Sequence, residues 1–271
     1  MSLLSAAERE KWTPFIEQYR RVRARDGFCR TDPDYYRALP VVPPSDPDFD
    51  RWRVRQASFA HFRAFLETFA GGRRLRVLDL GAGNGWLSAW LASAGHRPVA
   101  VDLVADETDG LGAVRHYETP FVAVQADFES LPVAPHQFDL VVFNGTLHYT
   151  RDVADTFRRA CRMLDGAGAV AVMDSPLFES KKAGADMVAA RDRAFAEVYG
   201  LTPVPASGVG YLTRAELEHV SGTQGLRATF VRSRGSWRWE VRRTLDRWRS
   251  GRELATFGVW WARTPRSGVP S

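Results

Sequence analysis

The stretch RVLDLGAGNGWLSAWL, residues 76–91, constrains the fold of this chain more than any other. Residues 77–80 form a short apolar run, interrupted only by Asp79, of the kind buried on both faces of a parallel sheet. Three alternate glycines follow, which permit backbone conformations closed to residues with a Cβ, and Leu87 and Leu91 then begin a helical spacing. The sequence therefore predicts a strand–turn–helix unit with a ligand lying against the turn and the helix N-terminus.

Two nucleotide-binding patterns compete for this turn. The dinucleotide fingerprint G-x-G-x-x-G/A needs a small third residue for close packing of helix on strand, and Trp86 occupies that place. An acid two positions before the first glycine, followed by G-x-G-x-G, instead resembles motif I of the class I S-adenosylmethionine (SAM) methyltransferases. Residues 79–85 carry this resemblance, and it extends well over about residues 73–175.

The resemblance implies a role for each residue of the turn. In the family the glycines admit the methionine end of SAM, and the preceding carboxylate orients the SAM ammonium group directly or through water. The implied cofactor-binding residues here are Asp79, Gly81, Ala82, Gly83 and Asn84.

Two later strand ends extend the predicted cofactor site. Residues 98–103 form a second apolar strand that ends at Asp102 and Leu103, about twenty residues after the glycine turn. An acid placed there accepts hydrogen bonds from both ribose hydroxyls of either SAM or NAD, so Asp102 supports a nucleoside ligand without choosing between them. After a third strand, the family resemblance implies that Asp127 accepts from the adenine amino group and that the Phe128 amide meets the ring.

The end of the fourth predicted strand is the expected place for chemistry. This strand, residues 137–144, ends in Asn144, and in the family that end borders the reactive methyl group. His148 is the candidate for acid–base help because its side chain titrates near neutral pH, and Tyr149 is a weaker candidate. A histidine that is merely structural is the alternative. No metal site is predicted.

Alternating strands and helices predict an α/β fold, a Rossmann-like doubly wound seven-stranded, mostly parallel sheet with an N-terminal helical cap. The ligand crevice of such a sheet lies at the carboxyl ends of its strands. At or near the ends of the predicted strands stand Asp79, Asp102, Asp127, Asn144 and Asp174. Residues 1–71 are assigned to the cap and 72–265 to the SAM-binding domain, with 175–212 as a substrate-facing lid. For the long helix that precedes the first strand, there is an equal alternative to the cap, which is packing on the outer face of the sheet.

Two further segments carry specific expectations. The prolines of residues 32–47 predict an extended, turn-rich connection. Near the C-terminus, Trp237, Val241, Leu245 and Trp248 recur at helical spacing between arginines. This pattern favours a surface helix that covers a core with its apolar side and leaves its arginines in solvent, over an arginine–tryptophan surface for nucleic acid.

Composition excludes several classes of protein. The chain has 271 residues, a formal net charge of +5 and 45% hydrophobic residues, which is ordinary for a globular protein. It has neither an apolar run long enough to span a bilayer nor a signal-peptide core, so a cytoplasmic location without a membrane partner is expected. Cys29 and Cys161 are too few and too far apart to predict a disulfide scaffold or a zinc site.

The combined prediction is a SAM-dependent methyltransferase that acts on a small molecule. The [DN]-P-P-[FY] motif of enzymes that methylate amino groups in DNA or of glutamine is absent after the fourth strand, and neither cysteine follows a proline as in cytosine C5 enzymes. Two alternatives stay open at this point. One is a nicotinamide-dependent oxidoreductase, and the other is a non-catalytic SAM-binding regulatory protein that contacts nucleic acid.

Overall fold

The computed structural model describes residues 1–204 and 208–265. The strands are β1 (Arg76–Leu80), β2 (Arg97–Asp102), β3 (Val122–Gln125), β4 (Phe138–Asn144), β5 (Leu164–Met173), β6 (Leu177–Phe178), β7 (Leu212–Thr213), β8 (Arg227–Arg232) and β9 (Gly258–Arg263). The α-helices are α1 (Ala6–Arg25), α2 (Pro33–Ala38), α3 (Phe49–Ala70), α4 (Trp86–Ser93), α5 (Val153–Met163), α6 (Lys181–Tyr199), α7 (Arg214–Thr223) and α8 (Trp237–Ser250).

Seven of these strands form one sheet in the order β3-β2-β1-β4-β5-β9-β8. Strands β1 to β5 pair in parallel, and β9 is antiparallel to both of its neighbours. The strand order reverses direction on either side of β1, so the crevice for a ligand opens at the carboxyl ends of β1 and β4. The predicted Rossmann-like, mostly parallel seven-stranded sheet is confirmed.

Both faces of the sheet are covered because successive side chains of each strand point to opposite sides. Leu78 and Phe143 belong to the layer that packs under α5 and α7. Val77 and Val142 belong to the opposite layer, where α3 and α4 pack. The central strands therefore carry the near-continuous apolar runs that identified them in the sequence.

The long helix α3 packs on the outer face of the sheet over its C-terminal half. Phe62, Phe65 and Phe69 surround the indole ring of Trp261 in β9, with ring centroids 5.5 to 6.1 Å away. Only the N-terminal part of α3 reaches the carboxyl edge of the sheet, where Arg55 contributes to a cavity. The helix that lies over that edge is α1.

The prediction of an extended connection over residues 32–47 is wrong for residues 33–38, which form α2. Asp32 caps this helix by accepting a hydrogen bond from the amide of Asp34, and Pro33 stands in the first turn, where a proline is tolerated. Tyr36 is 1% exposed and its ring stacks on His116. Burial of this tyrosine supplies the packing that a six-residue helix requires.

Helix α8 forms as predicted, but its orientation contradicts the prediction. The apolar residues expected to cover a core are exposed to solvent, whereas Trp239, Glu240 and Arg243 on the opposite side are half-buried. The helix is therefore held to the protein by its polar side. The side chains of Arg247 and Arg249 lie outside the described part of the structure.

The segment predicted as a lid, residues 175–212, contains α6 between two short strands. Strand β6 pairs in parallel with β7 as a separate two-stranded sheet, and Ser180 caps α6. Residues 205–207, which belong to the predicted lid, lie outside the described residues, as do 266–271. No helix in the described part of the chain is both long and apolar enough to cross a membrane.

We predict that Trp261→Ala lowers the free energy of unfolding by about 3 to 5 kcal/mol, because the indole is 3% exposed and truncation leaves a cavity under α3. Urea denaturation monitored by circular dichroism measures this change. Trp237→Ala is the control, since Trp237 is 72% exposed and its loss should change stability by no more than about 0.5 kcal/mol. Equal effects of the two substitutions would contradict the packing of α3 on β9.

Candidate functional site

The turn between β1 and α4 has a backbone that only glycine readily adopts. Gly81, Gly83 and Gly85 have φ values of 77°, 57° and 78°, in the left-handed region. A Cβ on Gly81 would also lie 2.2 Å from the methyl carbon of Thr146 in the turn after β4. The hydroxyl of Thr146 donates to the Leu80 carbonyl oxygen at 2.6 Å, which fixes this close approach of the two turns.

Asp102 at the end of β2 organises the same turn from the other side. Its carboxylate accepts one hydrogen bond from the amide of Gly83 and another from the amide of Val104, each at 2.7 Å. Burial raises the pKa of Asp102 while these amide hydrogen bonds oppose that effect. A carboxylate has about four acceptor sites, so Asp102 retains capacity for further donors.

A cavity of about 270 Å³ opens at this edge of the sheet. It lies against the ends of β1, β2 and β4 and the residues that follow β3, as the sequence predicts for a ligand crevice. Nine of the ten predicted cofactor-binding residues line it: Gly81, Ala82, Gly83, Asn84, Asp102, Leu103, Asp127, Phe128 and Asn144.

Helix α1 forms the roof of the cavity. Trp12, Phe15, Tyr19 and Arg23 all line it, and they lie on one side of the helix at spacings of three and four residues. Helix α1 lies within residues 1–71, which the sequence analysis assigns to a cap.

Two ion pairs tether α1 to the loop after β2. Arg23 binds the carboxylate of Asp109 through two guanidinium nitrogens, and Arg20 pairs with Asp106 at 2.7 Å. Asp109 is only 6% exposed, so its charge depends on Arg23 for compensation. Neither pair is apparent in the sequence, because 86 residues separate the partners in each.

Arg55 is a further cavity residue that sequence reasoning missed. Its guanidinium lies over the ring of Trp52 at 4.8 Å, and Trp52 contacts Trp86 at the start of α4, so Arg55 stands beside the glycine turn. Within residues 1–204 and 208–265 it forms no ion pair, although it lines the cavity. In the sequence of an amphipathic helix, an arginine that lines a cavity looks the same as an arginine that is exposed to solvent.

Asp127 and Phe128 follow β3 at the far side of the cavity. Asp127 is 8% exposed and accepts a hydrogen bond from the amide of Glu129 at 3.0 Å. The ring of Phe128 meets Phe143 of β4 edge to face at 6.2 Å. Both residues lie in the cavity wall, and the adenine contacts implied by the family resemblance remain predictions.

Asp79 is the one predicted cofactor-binding residue that does not line the cavity. Its carboxylate is 0% exposed, lies between the sheet and α4, and accepts a hydrogen bond from the hydroxyl of Ser88 at 2.8 Å. The other oxygen has no hydrogen-bond partner, and burial raises the pKa of Asp79 to about 7. A direct contact with a ligand in the cavity does not fit this position.

Asp174 also departs from the expected pattern. It follows β5 with a φ of 52° and accepts a hydrogen bond from the hydroxyl of Ser58 in α3, whose oxygen lies 2.7 Å from the hydroxyl oxygen of Ser233. Burial raises the pKa of Asp174 to about 6. The carboxylate joins α3 to the loop before α8 instead of lining the cavity.

The two candidate catalytic residues, His148 and Tyr149, occupy different environments. His148 is 6% exposed, its Nδ1 lies 3.1 Å from the Ser175 hydroxyl oxygen, and burial lowers its pKa to about 3. It does not line the cavity, so an acid–base role for His148 is not supported by this geometry. Tyr149 is 42% exposed, lines the cavity, and packs on the imidazole with ring centroids 4.0 Å apart.

Comparison with known proteins adds independent information. Residues 78–172 match the family model described as a methyltransferase domain. A malonyl-[acyl-carrier protein] O-methyltransferase of Chlorobium luteolum is 33% identical over 137 residues, which is 49% of this chain and 47% of that protein. The chain spans less than half the length of the curated relatives it matches.

Two solved structures share the fold at low sequence identity. Magnesium protoporphyrin IX methyltransferase from Synechocystis PCC 6803, with bound S-adenosylhomocysteine (SAH), superposes with a TM-score of 0.56 at 16% identity, covering 90% of this chain and 100% of that one. The 1,6-didemethyltoxoflavin-N1-methyltransferase of Burkholderia thailandensis gives a TM-score of 0.52 at 19% identity, covering 97% and 92%.

We predict that Asp79→Asn stabilises the ligand-free protein more at pH 8 than at pH 5. Because burial raises the pKa of Asp79 to about 7, the folded state holds a proton that the unfolded chain releases near pH 4. The stability from this proton is present at low pH and is lost as the pH rises through 7. The uncharged amide escapes this loss, so the advantage of the variant should grow by about 1 to 4 kcal/mol over this range.

Urea denaturation of both proteins at a series of pH values measures this difference. Other titrating groups, including Asp174, are common to the two proteins and largely cancel in the comparison. A difference in unfolding free energy that stays constant between pH 5 and 8 would show that Asp79 is ionised in the folded state.

Proposed function

We propose that this chain, which carries a class I SAM-dependent methyltransferase domain, transfers the methyl group of SAM to a small-molecule acceptor. The observation that supports this proposal is the cavity at the carboxyl edge of the sheet, where nine predicted cofactor-binding residues meet. SAM supplies a methyl group on a positively charged sulfur. The protein then has to bind the cofactor, align the acceptor for in-line displacement and exclude water.

In this proposal, different cavity residues contact different parts of the cofactor. Asp102 accepts hydrogen bonds from the ribose hydroxyls, which are natural donors to a buried carboxylate. Asp127 and Phe128 hold the adenine, and the turn from Gly81 to Asn84 admits the methionine end. The positive φ values of the turn and the absence of a Cβ on Gly81 leave its backbone open to this close approach.

Arg55 is assigned to the carboxylate of the methionine end. The Arg55 guanidinium is half-buried and forms no close ion pair among the described residues, although its charge acts on Asp48, Asp109 and Asp174. A guanidinium in this setting is suited to a charge-assisted hydrogen bond with an anionic ligand group. Its neighbour Trp52 fixes the side chain from one face, and Trp86 places it beside the glycine turn. In this proposal Arg55 replaces Asp79 as the charged residue that orients the amino-acid end of the cofactor by direct contact.

The acceptor side of the cavity is assigned to α1 and to the turn after β4. Tyr149 is the candidate for contact with the acceptor, and Asn144 borders the reacting methyl group. Tyr19 lines the same cavity as Asp102 and Tyr149. His148 positions Tyr149 by ring packing and stays neutral because burial lowers its pKa.

We also propose a narrower cap than residues 1–71. The part that covers the cofactor is α1, whereas most of α3 supports the sheet. Segment 175–212 serves as a substrate-facing lid in this proposal, because the Gly210 amide donates to the His148 carbonyl oxygen at 3.1 Å and Gln18 of α1 donates to the Thr202 carbonyl oxygen at 2.9 Å.

The comparisons support a small or carrier-bound organic acceptor but do not favour one compound. The curated relative is named for malonyl-[acyl-carrier protein], and the two structural neighbours are named for a porphyrin and a toxoflavin precursor. A nicotinamide-dependent oxidoreductase and a regulatory protein on nucleic acid find no support among them. A methyl acceptor with an aromatic or apolar body fits the roof of Trp12, Phe15 and Tyr19.

The test of the proposed function is binding followed by turnover. Isothermal titration should show one site for SAM and for SAH, and no heat from NAD or NADH. Release of SAH from SAM in the presence of an acceptor library then measures methyl transfer. Binding of NADH without binding of SAM or SAH would contradict the proposal.

We predict that Asp102→Ala weakens SAH binding by about 1 to 3 kcal/mol, because the ribose loses its acceptor and the Gly83 amide loses the bond that holds the turn. Asp34→Ala is the control, since the Asp34 side chain is 86% exposed on α2. Titration calorimetry on folded samples of both variants gives the two affinities. Unchanged affinity for SAH in a folded Asp102→Ala protein would remove Asp102 from the site.

We predict that Arg55→Gln reduces the affinity for SAH while leaving that for 5′-methylthioadenosine unchanged. The second ligand has the same nucleoside but no carboxylate, so it isolates the interaction assigned to Arg55. The expected loss for SAH is about 1.5 to 3 kcal/mol, as for a hydrogen bond to a charged group. Arg53→Gln, two residues earlier on an exposed side of α3, should change neither affinity. Equal losses for both ligands would assign Arg55 a structural role.

A further inference from the structure

Helix α8 presents an apolar stripe to solvent. Trp237, Val241, Leu245 and Trp248 are 72%, 50%, 44% and 82% exposed, and their spacing of four, four and three residues places them along one side of the helix. The half-buried residues Trp239, Glu240 and Arg243 lie on the opposite side. The helix is amphipathic, and its apolar side faces away from the protein.

Polar contacts hold the helix in this orientation. Glu240 accepts hydrogen bonds from Arg232 at 3.0 Å and from the Gly235 amide at 3.1 Å. The Arg243 guanidinium lies 4.4 Å from the centroid of the Trp239 ring and donates to the Ala255 carbonyl oxygen. Turning the apolar stripe inward would break these contacts, so the exposure of the stripe is built into the packing of α8.

The charge of the chain is concentrated around this helix. Residues 232–252 contain eight arginines and two acidic residues, a net charge of +6, whereas the whole chain has a net charge of +5. The remaining residues together are therefore close to neutral. On α8 itself, Arg238 and Arg242 are exposed beside the apolar stripe.

The helix also has a defined place in the fold. It connects β8 to β9, and the pairing of Arg232 with Gly258 places that connection at the carboxyl edge of the sheet. Arg242 lies 3.8 Å from Asp50 of α3, the helix that brings Arg55 to the cavity. The exposed stripe thus lies at the same edge of the molecule as the cavity.

We propose that α8 is an interfacial helix that docks this protein on the surface of an anionic lipid bilayer. Tryptophan, valine and leucine along one side enter the boundary between head groups and acyl chains, while the flanking arginines meet lipid phosphates. The helix lies on the bilayer and does not cross it, in agreement with the absence of a spanning helix among the described residues. A cytoplasmic location would present the helix to the anionic leaflet. The proposal therefore keeps the location expected from the sequence but departs from the expectation of no membrane partner.

Other occupants of this surface fit less well. Two copies of the chain packed through α8 would bring two strongly basic segments together, which like-charge repulsion opposes. Nucleic acid would use the arginines but has no apolar surface for Val241 and Leu245. An anionic bilayer accommodates both the apolar stripe and the arginines beside it.

Co-sedimentation with vesicles tests this proposal without reference to methyl transfer. The wild-type protein should sediment with vesicles that contain phosphatidylglycerol and remain in solution with pure phosphatidylcholine. The double variant Val241→Glu, Leu245→Glu should lose at least tenfold in partition coefficient on the anionic vesicles. Raising the salt concentration should weaken wild-type binding, since the arginine contribution is screened.

The matched control is Val41→Glu, Val198→Glu. These valines are 61% and 54% exposed elsewhere on the surface, so the control adds the same two negative charges without touching α8. It should retain vesicle binding within about twofold. Circular dichroism and thermal unfolding establish that both variants are folded.

Four results would overturn the proposal. The first is a wild-type protein that stays in solution with anionic vesicles, and the second is equal binding of the α8 variant and the control. The third is a wild-type dimer that the α8 variant converts to a monomer in analytical ultracentrifugation. The fourth is duplex DNA binding at concentrations that leave vesicles unbound. None of these outcomes depends on whether SAM binds in the cavity.

Discussion

The hydrogen bond from the Gly83 amide to the Asp102 carboxylate is the contact on which the site depends. It joins the turn after β1 to the end of β2, two neighbouring parallel strands, and so holds a glycine-rich backbone in one conformation. The Thr146 hydroxyl fixes the turn after β4 against the same glycines through Leu80. Three strand ends are thus locked together, and the cavity lies where they meet. Glycine loses more conformational entropy on ordering than any other residue. Without these hydrogen bonds, the glycine-rich turn would therefore not hold one fixed conformation as a binding surface.

The sequence predicted the sheet and most of the cavity wall because both depend on local patterns. Parallel strands buried on both faces read as apolar runs, and their carboxyl ends must meet at one edge. The sequence did not predict which way a polar side chain near a strand end faces. Asp79 alternates with Leu78 and Leu80, so its carboxylate points between the sheet and α4 and not into the crevice. Asp174 lies just beyond β5 with a positive φ and turns toward Ser58. Proximity to a strand end does not fix which way a side chain faces.

For the helices, the sequence likewise predicts that an element forms more reliably than what it packs against. The sequence predicts a helical cap over residues 1–71, with packing on the outer face of the sheet as an equal alternative for the long helix α3, but it does not decide between the two. For α3 the phenylalanines pack on Trp261, as an apolar stripe usually does, while for α1 the aromatic side chains become the roof of the cavity. In α8 the polar side is bound through Glu240 and Arg243, which leaves the apolar stripe in solvent. Long-range partners such as Arg23 with Asp109 decide these orientations, and they have no signature in a single sequence.

A crystal structure of the protein with SAH tests the central claim most directly. We predict a nucleoside across the ends of β1 to β3, both ribose hydroxyls within hydrogen-bond distance of Asp102, the adenine beside Asp127 and Phe128, and the carboxylate at Arg55. A ligand bound elsewhere, or a ribose that contacts neither oxygen of Asp102 while the turn keeps its present form, would contradict it.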